Sequence, residues 1–204
     1  MSRMELPAVR VMVVSGSYRS GSYNLRLAAL AAAAARAHGA AVTEVDLRAL
    51  ALPIYDADLE ARDGPPGGAL ELRRLFASHQ ALLVAAPEYN GFVTPLLVNA
   101  LDWASRPKAG EGLPDGLTAM NGTVVGLMSA SPGQFGGVRA LIAMRSLATL
   151  TLAMHVVPPT LSVARASEAF DADGQLKDER HRQALERVVA ATLHTAAGLR
   201  LVAG

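Results

Sequence analysis

The segment GSYRSGSYN, Gly16 to Asn24, gathers the residue types that bind a phosphate monoester. Ser17 and Ser22 carry hydroxyl donors, and Gly16 and Gly21 let the chain turn closely. Ser22 or Asn24 can cap a helix starting here, whose free N–H groups and positive dipole end attract an anion. Arg19 adds a permanent charge and a fork of donors matched to phosphate oxygens. The segment has neither the GxxxxGK[ST] of a triphosphate-binding loop nor the GxGxxG of a dinucleotide-binding turn. Without a P-loop lysine, the ligand it suits is a monophosphate. An ordinary strand-to-helix turn, with capping serines and a solvated Arg19, would use the same residue types.

Two further segments suit a flat ligand. In PEYNGFVTP (Pro87 to Pro95), Tyr89 offers stacking surface, and Asn90 and the backbone around Glu88 and Gly91 can reach ring heteroatoms. A plain Pro/Asn/Gly turn with an incidental tyrosine is the alternative. In SASPGQFGGVRA (Ser129 to Ala140), small residues let a planar group lie against the main chain, and Gly136 and Gly137 lead into a helix. Other chemistries find no support. The five histidines are scattered without an HExxH spacing, and there is no GxSxG elbow. EARDGPPG (Glu60 to Gly67) reads as a solvated acidic loop, so no metal site is expected.

The elements that must position these turns are legible as apolar runs. VRVMVVS (Val9 to Ser15), ALLVAAP (Ala81 to Pro87) and TVVGLMSAS (Thr123 to Ser131) are near-continuous, as in parallel strands covered on both faces. AVTEVDL (Ala41 to Leu47) alternates and reads as a less buried strand. In VVPPTLSV (Val156 to Val163), Pro158 and Pro159 imply an edge strand, or a strand in its second half only. Helices are expected over Asn24 to His38, Gly68 to Ser78, Thr94 to Ser105, Gly137 to Met154 and Asp178 to Leu201. Pro53 to Gly68 and Arg106 to Gly116 read as loops. Strict β-α alternation means a parallel sheet wrapped by helices. Five strands favour a flavodoxin-like order 2-1-3-4-5, with ligands at the carboxyl ends of the strands beside the switch in order. All three polar turns fall at such ends.

Composition bounds the reading. The 204 residues, 51% hydrophobic and 18% charged, suit one domain over 1–204 with a substantial core. A net charge of +1 and few aromatics give no footprint for nucleic acid or an anionic membrane. The absence of cysteine excludes disulfides and thiolate sites and fits a cytoplasmic protein. No run is long enough for a membrane span.

GSYRSGSYN resembles the GSxRxxSxN motif of the NAD(P)H-dependent FMN reductases, a flavodoxin-like family. PEYNGFVTPLLVNALDWAS is similar to their PEYNxxxPxxLKNAxDWxS block, and SPGQFGG to their third, glycine-rich turn. The matches fall in order over roughly residues 10–140. Val98 stands where the family usually has lysine, and Tyr18 where an aliphatic residue is commoner. The resemblance implies a three-layer sandwich, FMN as cofactor and NADPH or NADH as co-substrate. The acceptor would be a small molecule: a quinone, azo compound, metal oxyanion or free flavin. Carried over residue by residue, Ser17, Arg19, Ser22 and Asn24 would hold the FMN phosphate, with Tyr23 beside them. Pro87, Glu88, Tyr89, Asn90 and Gly91 would line the isoalloxazine ring, and Ser129, Ser131 and Gly133 would close the other side. No side chain would be catalytic, because flavin carries the chemistry.

The resemblance also implies a homodimer or homotetramer with the active site at the subunit boundary. Asn99, Asp102 and Trp103 share a helix face that in the family contributes to a dimer contact; Trp103 as core filler is the alternative. Arg139 either pairs across a subunit interface or is solvated. The loop Arg106 to Gly116, with Arg106 and Lys108, is expected to border the opening and to influence the choice of NADPH over NADH. Two other classes compete. One is a flavodoxin-like electron carrier, disfavoured by Arg19 and the near-neutral charge. The other is a nicotinamide-binding regulator without flavin.

Overall fold

Residues 8–106 and 112–203 are described by a computed structural model of the chain, with side chains to residue 199. In chain order the strands are β1 (Arg10–Ser15), β2 (Ala41–Val45), β3 (Ala81–Ala85), β4 (Glu88–Tyr89), β5 (Phe92–Val93), β6 (Val124–Ala130) and β7 (His155–Val163). The helices are α1 (Tyr23–Ala37), α2 (Ala57–Asp63), α3 (Gly67–Ser78), α4 (Pro95–Ala104), α5 (Gly116–Met120), α6 (Val138–Ser146), α7 (Ala166–Ala169) and α8 (Glu179–Ala203). Five strands form one parallel sheet in the order β2-β1-β3-β6-β7, while β4 and β5 make a separate antiparallel pair. Leaving that pair aside, the order is the expected 2-1-3-4-5.

Alternation along β1 divides the core in two. Val11 and Val13 point to the side covered by α1 and α8, where Leu27, Ala31, Ala35, Val188 and Val189 pack. Met12 and Val14 point to the side of α3, α4 and α6, against Leu72, Leu97, Leu101 and Met144. The strands β3 and β6 are buried along their whole length, as their unbroken apolar runs require. The alanines of α1 supply its buried face at Ala28, Ala31, Ala32 and Ala35, so that this helix lies close to the sheet.

The departures from expectation have local causes. Pro158 and Pro159 do not interrupt β7, because it is an edge strand and its ladder with β6 shifts register between Val125 and Leu127. Arg145 donates to the carbonyls of Val156 (3.3 Å), Val157 (2.9 Å) and Pro158 (3.3 Å), which satisfies part of that strand's backbone. The long helix expected over Gly137 to Met154 is α-helical only to Ser146 and then widens into a π-turn over Leu147–Thr151. The supposed loop Pro53 to Gly68 contains α2, capped by Asp56, whose carboxylate accepts from the N–H groups of Asp58 (2.8 Å) and Leu59 (3.3 Å). Among the described residues, no helix is long and apolar enough to cross a membrane.

Candidate active site

Strand pairing continues one step past the ends of β1, β3 and β6, and this sets the three polar turns side by side. Gly16 N–H donates to Ala85 (3.0 Å), Ala86 N–H to Met128 (2.8 Å) and Ser131 N–H to Val163 (3.0 Å). A further bond, from the Thr94 hydroxyl to the Gly16 carbonyl (2.6 Å), stitches the first turn to the second.

In the first turn, Ser17 and Ser22 are buried and each uses its hydroxyl oxygen as an acceptor. Ser17 Oγ takes the N–H of Arg19 (3.2 Å), and Ser22 Oγ, the N-cap of α1, takes the N–H of Asn24 (3.2 Å). Each hydroxyl proton is left to donate to a ligand. The first turn of α1 carries no acidic side chain, so the positive end of the helix is uncompensated. Arg19 is exposed, its guanidinium carbon 5.4 Å from the centre of the Tyr23 ring. Asn24 is not the cap. Its side-chain N–H donates to the Ala130 carbonyl (2.7 Å), and its carbonyl accepts the Ala130 N–H (2.9 Å), so its amide joins α1 to the third turn rather than facing the cradle.

The second turn is a β-hairpin. Asn90 (φ 52°) and Gly91 (φ 79°) both adopt the left-handed region, as a two-residue turn between right-twisted strands requires. The Asn-Gly pair is the sequence signal for this hairpin, which neither reading of the segment as a turn uses. Tyr89 stands half-exposed beside the hairpin tip, while Pro87 is buried at its base.

Glu88 reaches across to the third turn. Its carboxylate accepts the backbone N–H of Arg139 (3.1 Å), the N–H of Ala140 (3.4 Å) and Arg139 Nε (2.9 Å), and it pairs with Arg139 Nη2. Burial alone would raise its pKa. The Arg139 guanidinium and the N–H groups at the start of α6 outweigh that and hold it below its ordinary value. Arg139 therefore pairs with Glu88 inside its own chain, while its side chain stays largely exposed at the start of α6. Gly137, the N-cap of α6, has φ 85°, and any Cβ there would collide with Ser129 Oγ.

These turns enclose a cleft of about 230 Å³. Of the residues singled out from the sequence, Ser17, Arg19, Ser22, Tyr23, Asn24, Pro87, Glu88, Tyr89 and Ser131 line it, joined by Ala130 and Pro132. Asn90 and Gly91 sit at the hairpin tip, Gly133 lies farther along the third turn, and Ser129 is fully buried beneath Gly137; none of the four is in the wall. A larger surface hollow of about 520 Å³, bordered by Gln80, Thr123 and His155, lies at the opposite edge of the sheet, away from all three turns. The donor set of the smaller cleft fits the phosphate and ring of a flavin mononucleotide: two buried hydroxyls, a free helix N-terminus and an arginine at one end, a tyrosine and small residues at the other.

Asn99, Trp103 and Arg106 are all engaged within the chain, Trp103 as the core filler of the second reading. Asn99 and Trp103 do not offer a free face, because Pro53 O accepts from Asn99 Nδ2 (2.8 Å) and Trp103 Nε1 (2.8 Å), and Asn99 Oδ1 accepts the Tyr55 N–H (2.8 Å). Trp103 is fully buried, edge-on to Tyr55 at 5.0 Å. Arg106 does not border the cleft. It pairs with buried Glu60 (2.9 Å), lies 4.7 Å from the Tyr55 ring centre and follows the far end of α4; Glu60 also accepts from the Tyr55 hydroxyl (3.0 Å). Lys108, named with it, lies outside the described residues.

Comparison with known proteins agrees with the geometry. Residues 9–168 match the model of the NADPH-dependent FMN reductases. The chain is 34% identical over 185 residues to an NAD(P)H-dependent FMN reductase of Pseudomonas aeruginosa, covering 90% of this chain and 92% of that one. It is 30% identical over 188 residues to an NADPH:quinone oxidoreductase of Arabidopsis thaliana, covering 90% and 89%. Among solved structures it resembles a flavoenzyme NAD(P)H:(acceptor) oxidoreductase of Paracoccus denitrificans, with a TM-score of 0.77 and 26% identity over 94% of this chain and 98% of that one. A serine-rich first turn, an Asn-Gly hairpin and a glycine-rich third turn meet at the carboxyl ends of the strands of a flavodoxin-like sheet, and the sequence match spans all three: the chain belongs to the NADPH-dependent FMN reductase family.

Proposed function

We propose that this single domain is an NAD(P)H-dependent reductase that holds FMN in the cleft and delivers electrons to a small acceptor, a quinone foremost. The observation that carries the reading is the convergence of two buried serine hydroxyls, Arg19 and an uncompensated helix N-terminus at one end of the cleft walled by Tyr89. When bound, FMN supplies the hydride and electron transfer. The protein's part is placement. Ser17, Ser22, Arg19 and the first N–H groups of α1 hold the phosphate dianion. Pro87, Tyr89 and the hairpin backbone lie along the ring, and Ser131 and Pro132 form the opposite wall. With FMN held there, nicotinamide and acceptor would use the same cleft in turn, giving ping-pong kinetics with no side chain required to move a proton.

Several finer points belong to the same proposal. The chain works as a homodimer or a higher homo-oligomer. This is supported by the exposed Tyr89, Phe92, Phe135, Val138 and Ile142 on the hairpin, the third turn and α6, of which Tyr89 also lines the cleft. It acts in the cytoplasm, in keeping with its lack of cysteine, and meets neither nucleic acid nor membrane. The purified protein should be yellow and oxidise NADPH with a quinone and no partner protein. A colourless preparation that binds no FMN would overturn the reading, and a yellow one needing a partner protein would make it a carrier. Light scattering should give at least twice the monomer mass.

A further inference from the structure

Tyr23 is the first residue of α1, and three side chains converge on its ring. Phe170 stacks on it, centroids 6.0 Å apart and planes 8° from parallel. The guanidinium carbons of Arg19 and Arg26 lie 5.4 Å and 5.9 Å from its centre. Phe170 is itself buried and fixed from behind. It bridges to Leu176, and the Asp171 carboxylate closes the intervening turn by accepting the N–H groups of Asp173 (3.0 Å) and Gln175 (2.8 Å). This support comes from beyond the matched family segment, which ends at residue 168.

We propose that the Phe170–Tyr23 stack is a rigid platform that positions Arg19, with Arg26 as a second cation on the same ring, to receive a phosphate dianion, and so sets the preference for FMN over riboflavin. The proposal rests on the assignment of the cleft to FMN. Arg19 is exposed and its side chain forms no ion pair in the described structure; the ring alone restrains it. A guanidinium gathered over an aromatic face before the ligand arrives loses less freedom on binding. Arg26 is one helical turn beyond Tyr23 and raises the positive potential at the same end.

The test compares FMN and riboflavin, which differ only in the phosphate, by fluorescence titration of the full chain freed of flavin. Tyr23→Leu and Phe170→Leu should each weaken FMN by roughly 2- to 5-fold, the range of an exposed cation–π contact, and leave riboflavin affinity unchanged. Tyr23→Phe keeps the ring and should keep FMN affinity. Arg26→Ala should weaken FMN by a smaller factor that disappears at high salt. Arg19→Ala is the control that separates the two claims. If Arg19→Ala lowers the FMN-to-riboflavin preference while Tyr23→Leu and Phe170→Leu leave it intact or weaken both ligands alike, the platform is wrong and the cradle stands. If Arg19→Ala also leaves the preference intact, the cradle itself is wrong.

Discussion

Asn24 and Ala130 lie 106 positions apart and exchange two hydrogen bonds, at 2.7 Å and 2.9 Å, in a buried environment. The pair closes the β1–α1 turn onto the end of β6, so the two walls of the cleft hold a fixed separation. Asn24→Ala leaves a buried N–H and a buried C=O of Ala130 without partners, costing about 2–6 kcal/mol at roughly 1–3 kcal/mol for each group. Urea unfolding should show that loss. FMN retention should fall with it, although the amide does not face the cradle. Asn24→Asp should cost nearly as much, because a carboxylate cannot donate to the Ala130 carbonyl.

Glu88 makes acid a selective stress on the hairpin. A carboxyl with a lower pKa in the folded than in the unfolded chain contributes stability above its ordinary value, 4.5, and loses it as pH falls from there through the folded value. Glu88→Gln should therefore be less stable than the parent at pH 7, by roughly 1–3 kcal/mol for its charged hydrogen bonds. The two urea midpoints should converge as the parent is acidified below about pH 4.5. Parallel curves would show that the Arg139 pair contributes nothing. Asp46, Asp115 and Glu179 are also held low, so the variant keeps some acid sensitivity of its own.

Sheet order and the three turns were legible because each rests on contiguous residues: apolar runs for β3 and β6, and GSYRSGSYN and PEYNG for the turns. What was not legible depends on distant pairs. Nothing near Asn24 announces Ala130, and nothing near Glu88 announces Arg139, 51 positions on. Glu60 looked solvated because its segment is rich in charge, glycine and proline, yet Arg106 and Tyr55 reach it from elsewhere in the chain. The face of α4 looked free for a partner because the segment that covers it, Pro53 to Tyr55, carries no periodic signal of its own.

Arg106 should prove structural. Arg106→Ala strands a buried carboxylate at Glu60 and removes the cation over Tyr55, for a loss on the order of 1–3 kcal/mol. The ratio of kcat/KM for NADPH and NADH should be unchanged, since Arg106 is absent from the cleft wall. A shift in that ratio with stability intact would restore Arg106 to the substrate opening. Glu60→Gln in the same background should recover part of the lost stability, because it removes the unpaired charge.

Ser129 separates a residue that touches the ligand from one that shapes its surroundings. It is fully buried, and its Oγ has no hydrogen-bond partner among the described residues. Ser129→Ala therefore removes a buried hydroxyl that satisfies nothing, and should be neutral or stabilising by about 1 kcal/mol, with FMN affinity unchanged. A loss of FMN affinity would return Ser129 to the binding wall. Gly137→Ala should behave oppositely. It combines a left-handed φ of 85° with a collision against Ser129 Oγ, for a cost of roughly 2–4 kcal/mol. The double variant should recover part of that cost, because the hydroxyl is one of the two obstacles and the backbone conformation is the other. Full recovery would make contact the whole effect; no recovery would make it conformation alone.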